Sequence, residues 1–142
     1  MTGPAAVRPV VSSFQLPWAT GLDFASSVSV GDLIFTSGQT GHRADGSLPE
    51  DFEAQLRGAF DNLDAVLRED GGSLDSIVRL TTLLARAEDY PAFKRLRPEL
   101  LRAPFPASTG VTVGMLLPGM LAELEAIAVR GPGRTLDEPP RS

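Results

Sequence analysis

The sequence predicts an α+β domain in which a mixed β-sheet carries two long helices on one face. Three observations lead there. Runs rich in Val, Ser, Phe and Thr, punctuated by Gly and Pro, alternate with one apolar stripe at helical spacing and with a second helix marked by its N-cap and first-turn proline. The resulting order is three strands, a helix, a strand, a helix and two strands, for which two layers are the natural packing. At 142 residues and 42% apolar content, the chain has enough material for one core but not for two.

The first three strands are expected near 7–13, 24–30 and 33–38, with Gly31-Asp32 between the second and third as a hairpin signal. "GHRADGSLP" then reads as a loop with a turn at Asp45-Gly46. Ser47 opens S-L-P-E, a capping box with Glu50 three residues on and Pro49 in the first turn, so the first helix is expected to start there. Phe52, Leu56, Phe60, Leu63 and Leu67 recur at spacings of three and four and form its apolar stripe, and Gly71-Gly72 ends it. "LDSIVRLTTLLA" lacks a helical stripe and is rich in β-branched residues, which gives a short turn and a strand over about 77–85. In "DYPAFKRLRPELLR", Asp89 is the N-cap and Pro91 lies in the first turn, while Pro98 is expected to kink or shorten the helix. Strands over about 109–115 and 121–130 follow. The domain is therefore read as 1–130, with 131–142 a mobile tail rich in Pro and Gly.

The last strand raises the functional question. Side chains two apart share a face, so Leu121, Glu123, Glu125, Ile127 and Val129 point one way, and Ala122, Leu124, Ala126 and Ala128 the other. A carboxylate in an apolar setting loses several kcal/mol unless it is paired, hydrogen-bonded or shifted in pKa. The glutamates therefore face a cleft, a subunit interface or solvent. Two helices cover only one sheet face, and the apolar residues on the other suggest that sheets of different subunits pack together, leaving clefts between them.

Composition narrows the chemistry. A net charge of -5 and a pI near 4.8, with no basic run, count against gripping nucleic acid through its phosphates. The absence of cysteine excludes disulfides, thiolate zinc sites and cysteine nucleophiles. No apolar segment reaches the ~18 residues of a membrane span and no signal-peptide core precedes the domain, so no membrane contact and a cytoplasmic location are expected. No G-x-x-x-x-G-K-S/T, G-x-G-x-x-G or H-E-x-x-H occurs. The one histidine, His42, sits between Gly41 and Arg43 in a loop and reads as a surface residue sooner than as a base or ligand. "TSGQTG" at 36–41 is at most a weak anion-binding turn, and is more simply a strand end turning at Gly38. Glu123 is the best-placed candidate for general acid–base work, because burial raises a carboxyl pKa toward neutrality.

"VGDLIFTSGQTG", "DNLDAVLREDGGSLDSIVRLTTLL", "PFPAST" and "LAELEAIAVR" resemble, in order and spacing, the signature blocks of the RidA family, also called the YjgF-type or enamine/imine deaminase family, over about residues 24–130. The resemblance implies a chorismate-mutase-like α+β fold and a homotrimer with small-molecule clefts between subunits. It also implies hydrolysis of enamine or imine intermediates with release of ammonia, without a metal or organic cofactor. Glu123 matches the glutamate that positions the attacking water, and Ser37 and Gly38 match the pocket's backbone edge. Phe24 stands where deaminating members have Tyr. In "PFPAST", Ser108 replaces the arginine that clamps a substrate carboxylate in those members, with Thr109 and Gly110 after it. A planar cationic fork has become one neutral hydroxyl, a loss of about 1.5–3 kcal/mol of binding. Turnover of simple 2-imino acids is therefore expected to be weak, and Gly110 and Gly114 imply a wider pocket unless they mark a bulge.

Two functional readings stand. One is a RidA-like enzyme on an altered enamine, imine or carbonyl substrate, with Glu123 handling the water or proton. The other is a trimer that binds a small metabolite without catalysis. Ribonuclease and chaperone roles, also claimed within the family, are less well matched, the first because of the acidic pI. In the expected cleft Glu123 lies near Ser108 and Phe24, and Glu125 makes structural hydrogen bonds or a salt bridge.

Overall fold

A computed structural model describes residue 3 and residues 6–137. Seven strands form one sheet: β1 (Val10–Val11), β2 (Ser27–Val30), β3 (Leu33–Thr36), β4 (Gln39–Thr40), β5 (Ile77–Leu84), β6 (Ala107–Thr112) and β7 (Ala122–Val129). The path runs β1-β2-β3-β7-β5-β6, with β4 also pairing with β7. All pairings are antiparallel except β5–β6, which is parallel and joined through the second helix, so the sheet is mixed. The hairpin turns at Gly31, whose φ of 59° favours glycine.

Two helices, α1 (Phe52–Glu69) and α2 (Tyr90–Leu100), pack on one face. The α1 stripe of Leu56, Phe60, Leu63 and Leu67 is buried against Ala122, Leu124, Ala126 and Ala128 of β7, joined by Leu80 and Leu84 of β5 and Phe93 and Leu96 of α2. Small alanines beneath bulky leucines make two interdigitating layers. The α+β architecture and the alternation along β7 are as the sequence predicts.

Several elements differ. Helix α1 starts at Phe52, because Asp51 caps it by accepting from the Ala54 N–H at 3.0 Å. Ser47 is held in the preceding turn, where its N–H and its hydroxyl both donate to Asp45 Oδ1, at 2.9 and 2.6 Å. A local Asx turn has thus taken the residue that a capping box needed. Asp89 occupies the α2 N-cap position without a capping bond, since its carboxylate accepts from the Arg86 guanidinium at 2.8 and 2.9 Å. Pro98 does not end α2, which runs two residues beyond it. The first strand contracts to Val10–Val11, and β6 runs from Ala107 to Thr112. Strand β6 keeps unbroken register with β5, which leaves no bulge at Gly110.

Of residues 131–142, those up to 137 are described. Arg134 fastens that segment, donating to the carbonyls of Leu74, Ile77, Arg102 and Pro104 at 2.6–3.0 Å. The opposite sheet face is open. Leu33 and Phe35 there are 41% and 40% exposed. Among the described residues, no helix is long and apolar enough to cross a membrane.

Candidate functional site

Strand pairing creates the site at the end of β7. Phe35 pairs with Ile127, and Gln39 with Leu124, so four steps along 35–39 match three along 127–124. The extra residue is a bulge at Ser37-Gly38, a device that re-aims side chains beside clefts. After it, Thr40 stands directly opposite Glu123, and cross-strand neighbours share a face. Gly38 lies against the Glu123 carboxylate so closely that a Cβ there would overlap Oε1 and Cδ. Any larger residue at 38 would displace the carboxylate.

Glu123 opens into a cavity of about 330 Å³ that also receives Phe24, Ser37 and Gly38. The wall is mainly apolar, formed by Leu16, Leu22, Leu117 and Met120, with Trp18, Gln39, Thr40 and His42 as its polar members. Partial burial raises the Glu123 pKa above the ordinary carboxylate value, and the Glu125 charge adds to the effect. A carboxylate in this setting accepts a proton from water more readily than an exposed one. Ser37 donates its hydroxyl to the Ala25 carbonyl at 2.6 Å, which ties the bulge to the segment carrying Phe24.

Sequence reasoning passed over four of these residues. The Trp18 ring stacks on His42 with centroids 4.7 Å apart and planes 24° from parallel. His42 Nδ1 is hydrogen-bonded to Thr40 Oγ1, and burial holds its pKa below the usual value. His42 is therefore half-buried in the Glu123 cavity, contrary to its reading as a surface loop residue. Two polar atoms of the same wall, Trp18 Nε1 and Gln39 Oε1, are buried without a hydrogen-bond partner. The clue in the sequence was the run Gln39, Thr40 and His42 directly after the signature glycine.

Ser108 and Gly110 are not in that cavity within one chain. Ser108 pairs with Leu80, which faces the helices, whereas Glu123 pairs with Leu83 on the open face. Ser108 and Gly110 instead share a cavity of about 480 Å³ with Thr82, Tyr90, Phe93 and Arg97. The Arg97 guanidinium lies 5.3 Å from the Phe93 ring centroid and has no ion pair among the described residues. Arg97, rather than the Arg102 nearer in sequence, is thus the cation beside Ser108. A Cβ on Gly110 would meet only the Thr82 carbonyl, at 3.9 Å, and one on Gly114 nothing within 4 Å, so neither glycine is required by close packing. Thr109 points elsewhere and accepts a hydrogen bond from Arg79 at 2.7 Å. Glu125 is exposed and makes no hydrogen bond or salt bridge among the described residues, which corrects its expected structural role. Among those residues, no group of three or more His, Asp or Glu side chains is placed to hold a metal ion.

Fold and site together define an α+β protein with a largely apolar cavity, holding Glu123 and His42, at the edge of an open sheet face. The family model described as Endoribonuclease L-PSP matches residues 17–130. A 2-iminobutanoate/2-iminopropanoate deaminase of Capra hircus is 33% identical over 128 residues, 89% of this chain and 93% of the relative. The RutC family protein YjgH of Escherichia coli strain K12 is 36% identical over 107 residues, 74% of this chain and 81% of the relative. Among solved structures, RidA of an Antarctic Psychrobacter superposes with a TM-score of 0.76 at 29% identity, covering 83% of this chain and 98% of that one. The chain belongs to this endoribonuclease L-PSP family, which is the RidA/YjgF family of the sequence resemblance.

Proposed function

We propose that the protein is a cytoplasmic homotrimer of chorismate-mutase-like fold that hydrolyses an enamine or imine to a carbonyl compound and ammonia. The chemistry occurs in clefts between subunits. Glu123 takes the proton of the attacking water as its oxygen bonds to the carbon of the protonated imine, and the C=N electron pair moves onto nitrogen to give a neutral carbinolamine. The observation that carries this reading is the half-buried carboxylate with a raised pKa, seated against Gly38 in an apolar cavity. Family membership with 2-iminobutanoate deaminases among its relatives supports the reaction class. The apolar wall favours a substrate with a larger apolar body than a two- or three-carbon imino acid, since filling it stabilises binding by about 25 cal/mol per Å² removed from water.

The intersubunit cleft is supported by the opposite orientations of Glu123 and Ser108. The residues that the resemblance groups into one site lie on two faces of one sheet, and a second copy can bring them together. The net charge of -5 favours a small-molecule substrate over RNA.

The test uses imines generated in situ by an amino-acid oxidase from leucine and by an amine oxidase from 2-phenylethylamine. The wild-type protein should accelerate their decay, with the carboxylate-free imine relatively favoured, and Glu123→Gln should lose ~10²–10⁴-fold while keeping its oligomeric state. A second reading, a trimer that binds a metabolite without turning it over, is favoured by Ser108 in place of the clamping arginine. Saturable binding of phenylacetone without acceleration of either imine would establish that reading instead.

A further inference from the structure

We propose that His42 is the second acid–base group of the Glu123 cavity, its Nε2 accepting the hydroxyl proton of the tetrahedral carbinolamine as the C–N bond breaks. The inference rests on the deaminating reading above.

Asn62 of α1 donates to the carbonyls of both Thr40 and His42, at 2.7 and 3.0 Å, which pins the backbone on either side of Gly41. Gly41 itself is pressed on the Gln55 backbone, with no room for a Cβ. The imidazole is stacked on Trp18, and its Nδ1 is taken by Thr40 Oγ1. Thr40 is the cross-strand neighbour of Glu123. A ring held by its backbone, one face and one nitrogen has a fixed orientation, and the nitrogen left over is Nε2. The active tautomer carries its proton on Nδ1 and donates it to Thr40, which leaves Nε2 as the acceptor.

The surroundings suit a polar, nitrogen-bearing ligand. Gln39 borders the same cavity and is 4% exposed, its Oε1 without a partner among the described residues. Burial keeps the imidazole neutral at pH 7, as a base must be. The charged groups around it are Glu123 on the cavity side, and Arg43, Arg57 and Asp61 around the outer groove that His42 also borders.

Water adds to the iminium carbon and yields its proton to Glu123, giving a neutral carbinolamine. The Glu123 proton passes to the amine nitrogen. The C–N pair leaves with ammonia, an oxygen lone pair forms the carbonyl, and the hydroxyl proton goes to Nε2. One positive charge enters on the iminium and one remains on the imidazolium, which then releases its proton to solvent.

The test uses the leucine- and 2-phenylethylamine-derived imines and the full chain. His42→Gln and His42→Asn should each lower kcat ~10²-fold or more with little change in KM. In the wild type, activity should fall as pH falls through two ionisations, that of His42 below 6.5 and that of Glu123 above 4.5, and the variants should keep only the Glu123 step. As the sole histidine, His42 gives one assignable NMR imidazole signal, whose pKa must coincide with one of the two ionisations of the wild-type profile. That comparison stands even if both variants fail to fold. Wild-type turnover with no matching ionisation, or variants with undiminished kcat, would overturn the role of His42 alone. No acceleration by the wild type would overturn the deaminase reading and the role of His42 with it.

Discussion

Glu123 and Glu125 lie on the same face of β7, one half-buried in a cavity and the other exposed above a shallow hollow that also holds Phe35 and Arg79. Their difference in burial decides their roles, because desolvation is the first cause of the raised Glu123 pKa and the Glu125 charge the second. Removing that charge with Glu125→Gln should lower the Glu123 pKa without changing its burial. The Glu123 ionisation of the pH–rate profile should then move to lower pH, and because Glu125 lies beside Phe35 in the proposed subunit contact, removing its charge should leave the assembly at least as stable as the wild type. A fixed ionisation would show that the Glu125 charge does not act on Glu123, and a large loss of stability would show that Glu125 makes a favourable contact across the subunit interface. Glu123→Gln should have a different thermal signature. A carboxyl whose folded pKa lies above its unfolded value near 4.5 stabilises the protein fully below that value and loses the contribution as pH rises through the folded pKa. The glutamine variant should therefore melt above the wild type at pH 7 and level with or below it at pH 4 in thermal scans.

At the level of elements, the α1 stripe and the β7 alternation were legible because both are periodic and local. They were enough to place Glu123 on the open face. The start of α1 was not, because Ser47 and Asp51 both match capping patterns and only the Asp45 turn decides between them. Asp51→Ala should cost ~1 kcal/mol, and Ser47→Ala clearly less, in denaturant unfolding. The bulge at Ser37-Gly38 and the Trp18–His42 stack depend on long-range pairing that no local pattern encodes. The separation of Ser108 from Glu123 depends on the registers of β5 with β6 and β7, equally invisible in the chain. Gln55 shows how α1 reaches the site. Fully buried, it donates to the Pro49 and Gly119 carbonyls at 2.7 and 2.8 Å and accepts from the Leu121 N–H at 2.7 Å. It therefore holds the turn that brings Met120 into the cavity wall. Gln55→Leu leaves the buried Pro49 carbonyl and the part-buried Gly119 carbonyl and Leu121 N–H without their partner, and should destabilise by ~1–3 kcal/mol. It should also raise KM for the imines, as the wall loosens.

At the scale of the whole molecule, one chain presents half of each proposed cleft on either side of its sheet, and its open face carries apolar side chains that a monomer would leave wet. Phe35 is the sharpest probe of this arrangement. It pairs with Ile127 on the open face, beside Glu125, and is 40% exposed in the single chain. Its substitution therefore leaves the helix-covered core untouched. Wild-type protein should scatter light as a particle of about three times 15.1 kDa at micromolar concentration. Phe35→Glu places a charge where an apolar contact is proposed, next to an existing carboxylate, and like charges brought together in an interface cost several kcal/mol. The variant should unfold cooperatively like a native domain but run as a monomer, with imine hydrolysis lost even though Glu123, Gly38 and His42 are intact. A folded monomer with full activity would show that one chain suffices and that Ser108 and Arg97 have no part in the site. Retention of the trimer would place the subunit contact on another surface.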